Sequence, residues 1–138
     1  MKILFDTSAL ITLLISSEVM HKKLVRFLQQ IEIKKAKFYV TDYILDELFT
    51  RLLYAGGAHV AQTGLRLVDN QLQNGSLQLI HIGADGFDKA KRIFIKYADQ
   101  KLSFTDITTF LIYKNYNMDE ICSLDGDFQK IGAKVSKI

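Results

Sequence analysis

Four acids in this chain stand where carboxylates can do chemistry. Asp6 closes a short apolar run, Lys2-Ile3-Leu4-Phe5, and is followed by two hydroxyl residues, Thr7 and Ser8, and an apolar helical pattern reaching Ile15. Asp125 closes a second apolar run, Ile121 to Leu124, in the same way. Glu47 lies in Thr41-Asp42-Tyr43-Ile44-Leu45-Asp46-Glu47-Leu48, and Asp106 in Leu102-Ser103-Phe104-Thr105-Asp106, both at the starts of helical patterns. In open α/β sheets the carboxyl ends of the strands face the crevice where ligands bind. Carboxylates gathered in one such cleft repel and raise one another's pKa values, and the direct remedy is a hard divalent cation. An all-oxygen donor set suits Mg²⁺ or Mn²⁺. Ions held in this way coordinate phosphate oxygens, generate hydroxide from water and offset charge on a leaving oxygen, which is the chemistry of phosphodiester hydrolysis.

Each acid also has an ordinary reading. Asp6, Thr7 or Ser8 can cap the helix that follows by accepting from its free backbone N–H groups. Asp46 and Glu47 can be a solvated pair near a helix N-terminus, where negative charge is favourable. Neighbouring helical positions are about 100° apart, so only one of the two can point inward, and Glu47 borders the apolar face through Ile44 and Leu48. Ser103-x-x-Asp106 fits a capping box. Asp125-Gly126 reads as a turn, and Asp125-x-Asp127 lacks the remaining ligands of a calcium hand. His21, His59 and His81 share no metal spacing, which argues against zinc and leaves them as surface or packing residues. Cys122 is the only cysteine; within Ile121-Cys122-Ser123-Leu124 it reads as a small core residue and not as a reactive thiol.

The elements that must position these acids alternate. Strand patterns at 2–5, 37–41, 77–82 and 120–124 are separated by helical patterns at 9–15, 21–33, 42–54, 59–72, 87–97 and 103–113. Gly56-Gly57 is the expected stop of the third helix. A short helical piece follows Asp125-Gly126, and residues 133–138 are expected to add an edge strand. Strands separated by helices imply a mostly parallel sheet covered on both faces, in one domain of 138 residues. There is no proline, so turns rely on glycine, asparagine and aspartate. With 49% hydrophobic and 24% charged residues, the composition is that of a soluble globular protein, expected in the cytoplasm, with neither a membrane span nor a signal peptide indicated. The net charge of +3 tilts only weakly towards an anionic partner.

Through FDTSAL with Asp6, ILDEL with Glu47, LSFTD with Asp106 and SLDGDF with Asp125, the chain resembles the PIN domain family over its whole length, especially its small stand-alone VapC-like toxins. The resemblance implies an α/β/α sandwich with a parallel sheet of four to five strands. It further implies a Mg²⁺- or Mn²⁺-dependent endoribonuclease specific for single-stranded RNA, and a homodimer neutralised by a small antitoxin. Asp6, Glu47 and Asp106 would be the central metal-binding acids and Asp125, favoured over Asp127, would complete the set. Thr7, Ser8 and Ser123 would hold a metal-bound water or a phosphate. The products would carry 5′-phosphate and 3′-hydroxyl ends.

An RNA strand beside an acidic pocket needs cations at the rim, since phosphate contacts supply most non-specific affinity. Lys22, Lys23 and Arg26 are one candidate cluster and Lys89, Lys91, Arg92 and Lys96 another, although each also matches the solvated face of an amphipathic helix. A phosphoacceptor receiver domain would need paired acids after strand one, whereas this chain has Asp6 alone, with Asp42 after strand two. The closer rivals to a toxin are a housekeeping RNA-processing nuclease and a PIN-fold interaction module of weak activity.

Overall fold

The computed structural model describes residues 1–138 and consists of four strands and five helices. The order is β1 (Lys2–Phe5), α1 (Thr7–Leu14), α2 (His21–Ile33), β2 (Lys37–Thr41), α3 (Asp42–Gln73), β3 (Leu77–Ile80), α4 (Gly83–Lys96), α5 (Phe104–Asn115) and β4 (Glu120–Cys122), with 3₁₀ turns at Ala98–Gln100 and Gly126–Ile131. All strand pairs are parallel and run β3-β2-β1-β4 across the sheet.

Residue alternation on the strands divides the core into two layers, because successive side chains in a strand point to opposite faces. Ile3, Phe5, Val40 and Cys122 join Leu10, Leu24, Leu48 and Leu52 beneath α1, α2 and α3. On the other face Ile121 packs with Ala90, Ile107 and Phe110 of α4 and α5, and Leu4 with Ile80 and Ile112. The result is an α/β/α sandwich. No helix is long and apolar enough to cross a membrane.

Several boundaries differ from expectation, and four of them have a local reason. Gly56-Gly57 does not stop the third helix. Gly57 breaks its geometry at φ 78°, ψ −175°, a conformation nearly confined to glycine, and the helix resumes at once. Gly64 then permits the second arm to lie against the first, since a Cβ there would meet Leu52 Cδ1 at 2.6 Å. The strands β3 and β4 end early because their next donors are diverted: the Ile82 N–H goes to Asp42 Oδ1 at 3.0 Å and the Leu124 N–H to Ser8 Oγ at 3.0 Å. The segment 133–138 forms a single parallel bridge, Ile121 to Val135, and not an edge strand.

Candidate active site

Parallel topology brings the carboxyl ends of β1, β2 and β4 to one edge, and the chain leaves β1 and β2 directly into helices. Asp6 is the residue between β1 and α1. It is 6% exposed and makes no side-chain cap to α1. Its Oδ2 instead accepts from Ser123 Oγ at 2.9 Å and Ser8 Oγ at 3.1 Å. Those two hydroxyls are themselves oriented, Ser8 Oγ accepting from the Leu124 N–H and Ser123 Oγ from the Asp125 N–H, each at 3.0 Å. Each serine thus accepts from the backbone while its hydroxyl faces Asp6, and the two oxygens also lie 3.1 Å from each other. Burial pushes the Asp6 carboxyl above the ordinary range against the lowering effect of Ser123, the Thr7 N–H and Ser8, while the Glu47 charge pushes the same way as burial.

Helix α3 starts without a loop, as Thr41 ends β2 and caps the helix by accepting from the Ile44 N–H at 3.1 Å. Glu47 therefore lies in the second turn of a helix that begins at the sheet edge. Asp46 beside it is exposed. Glu47 is partly covered and sits 3.5 Å from Arg51 Nη1.

Asp106 reaches the site from the start of α5. The capping box is present: the Asp106 N–H donates to Ser103 Oγ and the Ser103 N–H to Asp106 Oδ2, both at 3.0 Å. It occupies one carboxylate oxygen. Burial, followed by repulsion from Asp6 and Glu47 and opposed by the Ser103 hydrogen bonds, pushes Asp106 up to about 6. Capping and participation in an acidic site are therefore compatible for this residue.

Asp6, Glu47 and Asp106 thus feel one another's charge, although they come from three elements far apart in sequence. Asp125 is not brought into that group in the same manner. Its exposed side chain caps the 3₁₀ turn, Oδ1 accepting from the Asp127 N–H at 3.1 Å. Asp127 is engaged by Lys130 Nζ at 2.6 Å, which lowers its pKa, so Asp125 is the freer of the two. No three acidic, histidine or cysteine side chains converge tightly enough as they stand to enclose an ion. The donor set is nonetheless all oxygen, as a hard cation requires. Beside Asp6, the fully buried Thr7 Oγ1 has no hydrogen-bond partner in the protein. An unmet buried hydroxyl costs about 1–3 kcal/mol.

Arg51 was not among the residues that the sequence pointed to, although Glu47-x-x-x-Arg51 is the helical spacing for an ion pair. The histidines take no part: His21 Nδ1 lies 2.8 Å from the Thr12 carbonyl, His81 Nδ1 lies 3.3 Å from Asp42 Oδ2, and His59 is exposed. Cys122 is buried, and burial with the nearby Asp6 charge pushes its thiol up to about 12, which leaves it unreactive.

The family model described as PIN domain matches residues 3–134. Among solved structures, the chain is similar to VapC20 of Mycobacterium tuberculosis, a Sarcin-Ricin loop cleaving toxin, with 20% identity, a TM-score of 0.86 and 99% of each chain covered. It is also similar to VapBC2 from Rickettsia felis bound to a DNA fragment from their promoter, with 13% identity, a TM-score of 0.69, and 99% of this chain and 98% of that one covered. At such identities what is shared is the fold. No curated protein sequence matches the chain.

Proposed function

The chain belongs to the PIN domain family, and from that premise we propose that it is a Mg²⁺- or Mn²⁺-dependent endoribonuclease hydrolysing phosphodiester bonds of single-stranded RNA, the toxin of a toxin–antitoxin pair. What supports the reading is that Asp6 follows β1, while Glu47 and Asp106 lie in the first two turns of α3 and α5, near enough that the Asp6 and Glu47 charges both raise the Asp106 carboxyl. A structural protein gains nothing from such a group, whereas a cation site requires it.

Asp6, Glu47 and Asp106 would hold the ion, with Asp125 completing the set from the rim. When bound, the ion supplies a water-derived nucleophile at neutral pH and stabilises charge on the phosphate and the leaving oxygen. The protein's own part is positional. Ser8 and Ser123 fix the Asp6 carboxylate, and Ser103 fixes Asp106. Arg51 provides positive charge next to Glu47 for an incoming phosphate. A small antitoxin and a second copy of the chain are the proposed partners, and the cytoplasm is the proposed location. Similarity in fold to VapBC2 supports an antitoxin.

The test is incubation of the purified protein with a labelled single-stranded RNA. Cleavage is expected with Mg²⁺ or Mn²⁺ and should stop in EDTA; undiminished cleavage in excess EDTA rejects the metal mechanism. Induction in a growing bacterial host then separates toxin from housekeeping nuclease. Growth arrest with loss of RNA supports the first, and unchanged growth with unchanged RNA pools removes it.

A further inference from the structure

Helix α3 runs on past Gly57 in a second arm, residues 58–73, that is held to the core differently from the first. The first arm buries Ile44, Leu45, Leu48 and Leu52, the second only Gly64 and Val68. Val60 and Leu72, half-buried, extend these two into a single row at four-residue spacing, with Ala61 beside its first member. That is narrower than the apolar stripe of about 100° or more that a core-facing helix presents. The adjoining row, His59, Thr63, Leu67 and Gln71, faces two clefts instead of a packed core. One, of about 330 Å³, is lined by Leu67 and Gln71 on the arm and by Leu10, Leu13 and Leu28 on α1 and α2. The other, of about 150 Å³, is lined by His59 and Thr63 on the arm and by Leu14 and Leu52. Leu67 borders both and is 47% exposed.

The arm is joined at each end through a glycine of positive φ, Gly57 at 78° and Gly75 at 80°, and a Cβ at either position would meet nothing within 4 Å. Residues of this kind absorb the backbone rotation that a moving element needs. We propose that the second arm of α3 is a hinged flap, open in this structure, which rolls about its Val60–Leu72 row and carries Leu67 down into the two clefts. The pivot is Gly64, which lies so close to Leu52 that a Cβ would meet its Cδ1 at 2.6 Å. Closure removes Leu67 and the apolar floor from water and restores contacts that the clefts forfeit. It also strips water from Thr63 and Gln71, which costs free energy unless their hydrogen bonds are replaced. These opposed terms, carried by one row of side chains, bring the two arrangements close in energy. The inference goes beyond the nuclease reading and does not depend on it.

Pulsed electron paramagnetic resonance between two nitroxide labels measures the roll. Gln62 is about 200° round the helix from Val60, where a roll moves a label most; Gln30 on α2 is the fixed reference, and both are exposed. Cys122 is buried and takes no label, so Gln62→Cys and Gln30→Cys are labelled alone. Two distance populations are expected, against one narrow population for a control pair that replaces Gln62→Cys by Thr50→Cys on the first arm. Leu67→Ala removes the side chain that fills the clefts, and Gln71→Leu removes the cost of drying its position. The population ratio should therefore move in opposite directions in the two variants, by about fivefold or more in each. A single narrow population that neither variant alters overturns the flap, as does movement of the ratio in the same direction by both. A broad, featureless distribution, the mark of an arm that frays instead of rolling, overturns it as well.

Discussion

Replacing Asp106 by Asn asks whether this carboxylate is held among like charges or merely caps a helix. Asn keeps an oxygen that can accept from the Ser103 N–H, so the capping box is conserved while the charge is lost. In the wild type the carboxyl is moved from 3.8 to about 6, which corresponds to about 3 kcal/mol between its protonation states. Asp106 keeps partial access to solvent, and screening reduces the usable part to about 1–2 kcal/mol. The sign follows from linkage. A folded-state pKa above the unfolded value means that the native protein binds the proton more tightly. The stabilisation is therefore complete below about pH 4 and is lost as pH rises through about 6. Melting curves in EDTA from about pH 4 to pH 8 should show the wild type falling below Asp106→Asn by about 4–8 °C at the upper end and converging with it at the lower end. Manganese should reverse the order, adding roughly 2.7 kcal/mol to the wild type at a hundredfold excess over its dissociation constant and little to the variant. Parallel curves at every pH, with equal shifts on adding manganese, would show that Asp106 is only a cap.

Other consequences are as direct. Asp6→Asn should be as stable as the wild type or slightly more so in EDTA, because it removes both a buried charge and its repulsion, yet lose most of the manganese-induced shift and nearly all cleavage; a variant with full activity and full shift would take Asp6 out of the site. Arg51→Ala should move two affinities in opposite directions, binding manganese more tightly because a cation beside Glu47 is gone and RNA more weakly because a phosphate contact is lost. Calorimetric titration with manganese and filter binding of RNA measure the two, and changes of the same sign would contradict the assigned role. Gly57→Ala should lower stability by about 1–3 kcal/mol through backbone strain alone, since a Cβ there would meet nothing within 4 Å; an unchanged denaturation midpoint would mean that the break in α3 is readily straightened.

The alternation of apolar strands with amphipathic helices carries the parallel sheet directly, because a sheet buried on both faces makes successive strand residues apolar, as in Ile3-Leu4-Phe5 and Ile121-Cys122. The helical period also separates Asp46, which is exposed, from Glu47, which is partly covered. What one-dimensional reading misses is decided by partners distant in the chain. Ser8 takes the Leu124 N–H and Asp42 the Ile82 N–H, which shortens two strands across separations of 116 and 40 residues. Gly56-Gly57 looks like a stop because glycine often ends helices; the apolar contacts of Leu52 and Val68 with the same core carry the helix past it. Asp6 and Asp125 look alike at the ends of apolar runs, yet one is buried between serine hydroxyls and the other is exposed on its own turn. That difference lies in the burial that tertiary packing creates.

The most direct test of a metal-dependent nuclease built on these acids is the initial rate of single-stranded RNA cleavage against manganese concentration, for the wild type, Glu47→Gln and Asp46→Asn side by side. The expected result is no cleavage in EDTA, saturable activation of the wild type and of Asp46→Asn, and loss of most activity in Glu47→Gln at every manganese concentration. Cleavage indifferent to EDTA, or equal rates in the two variants, would contradict it.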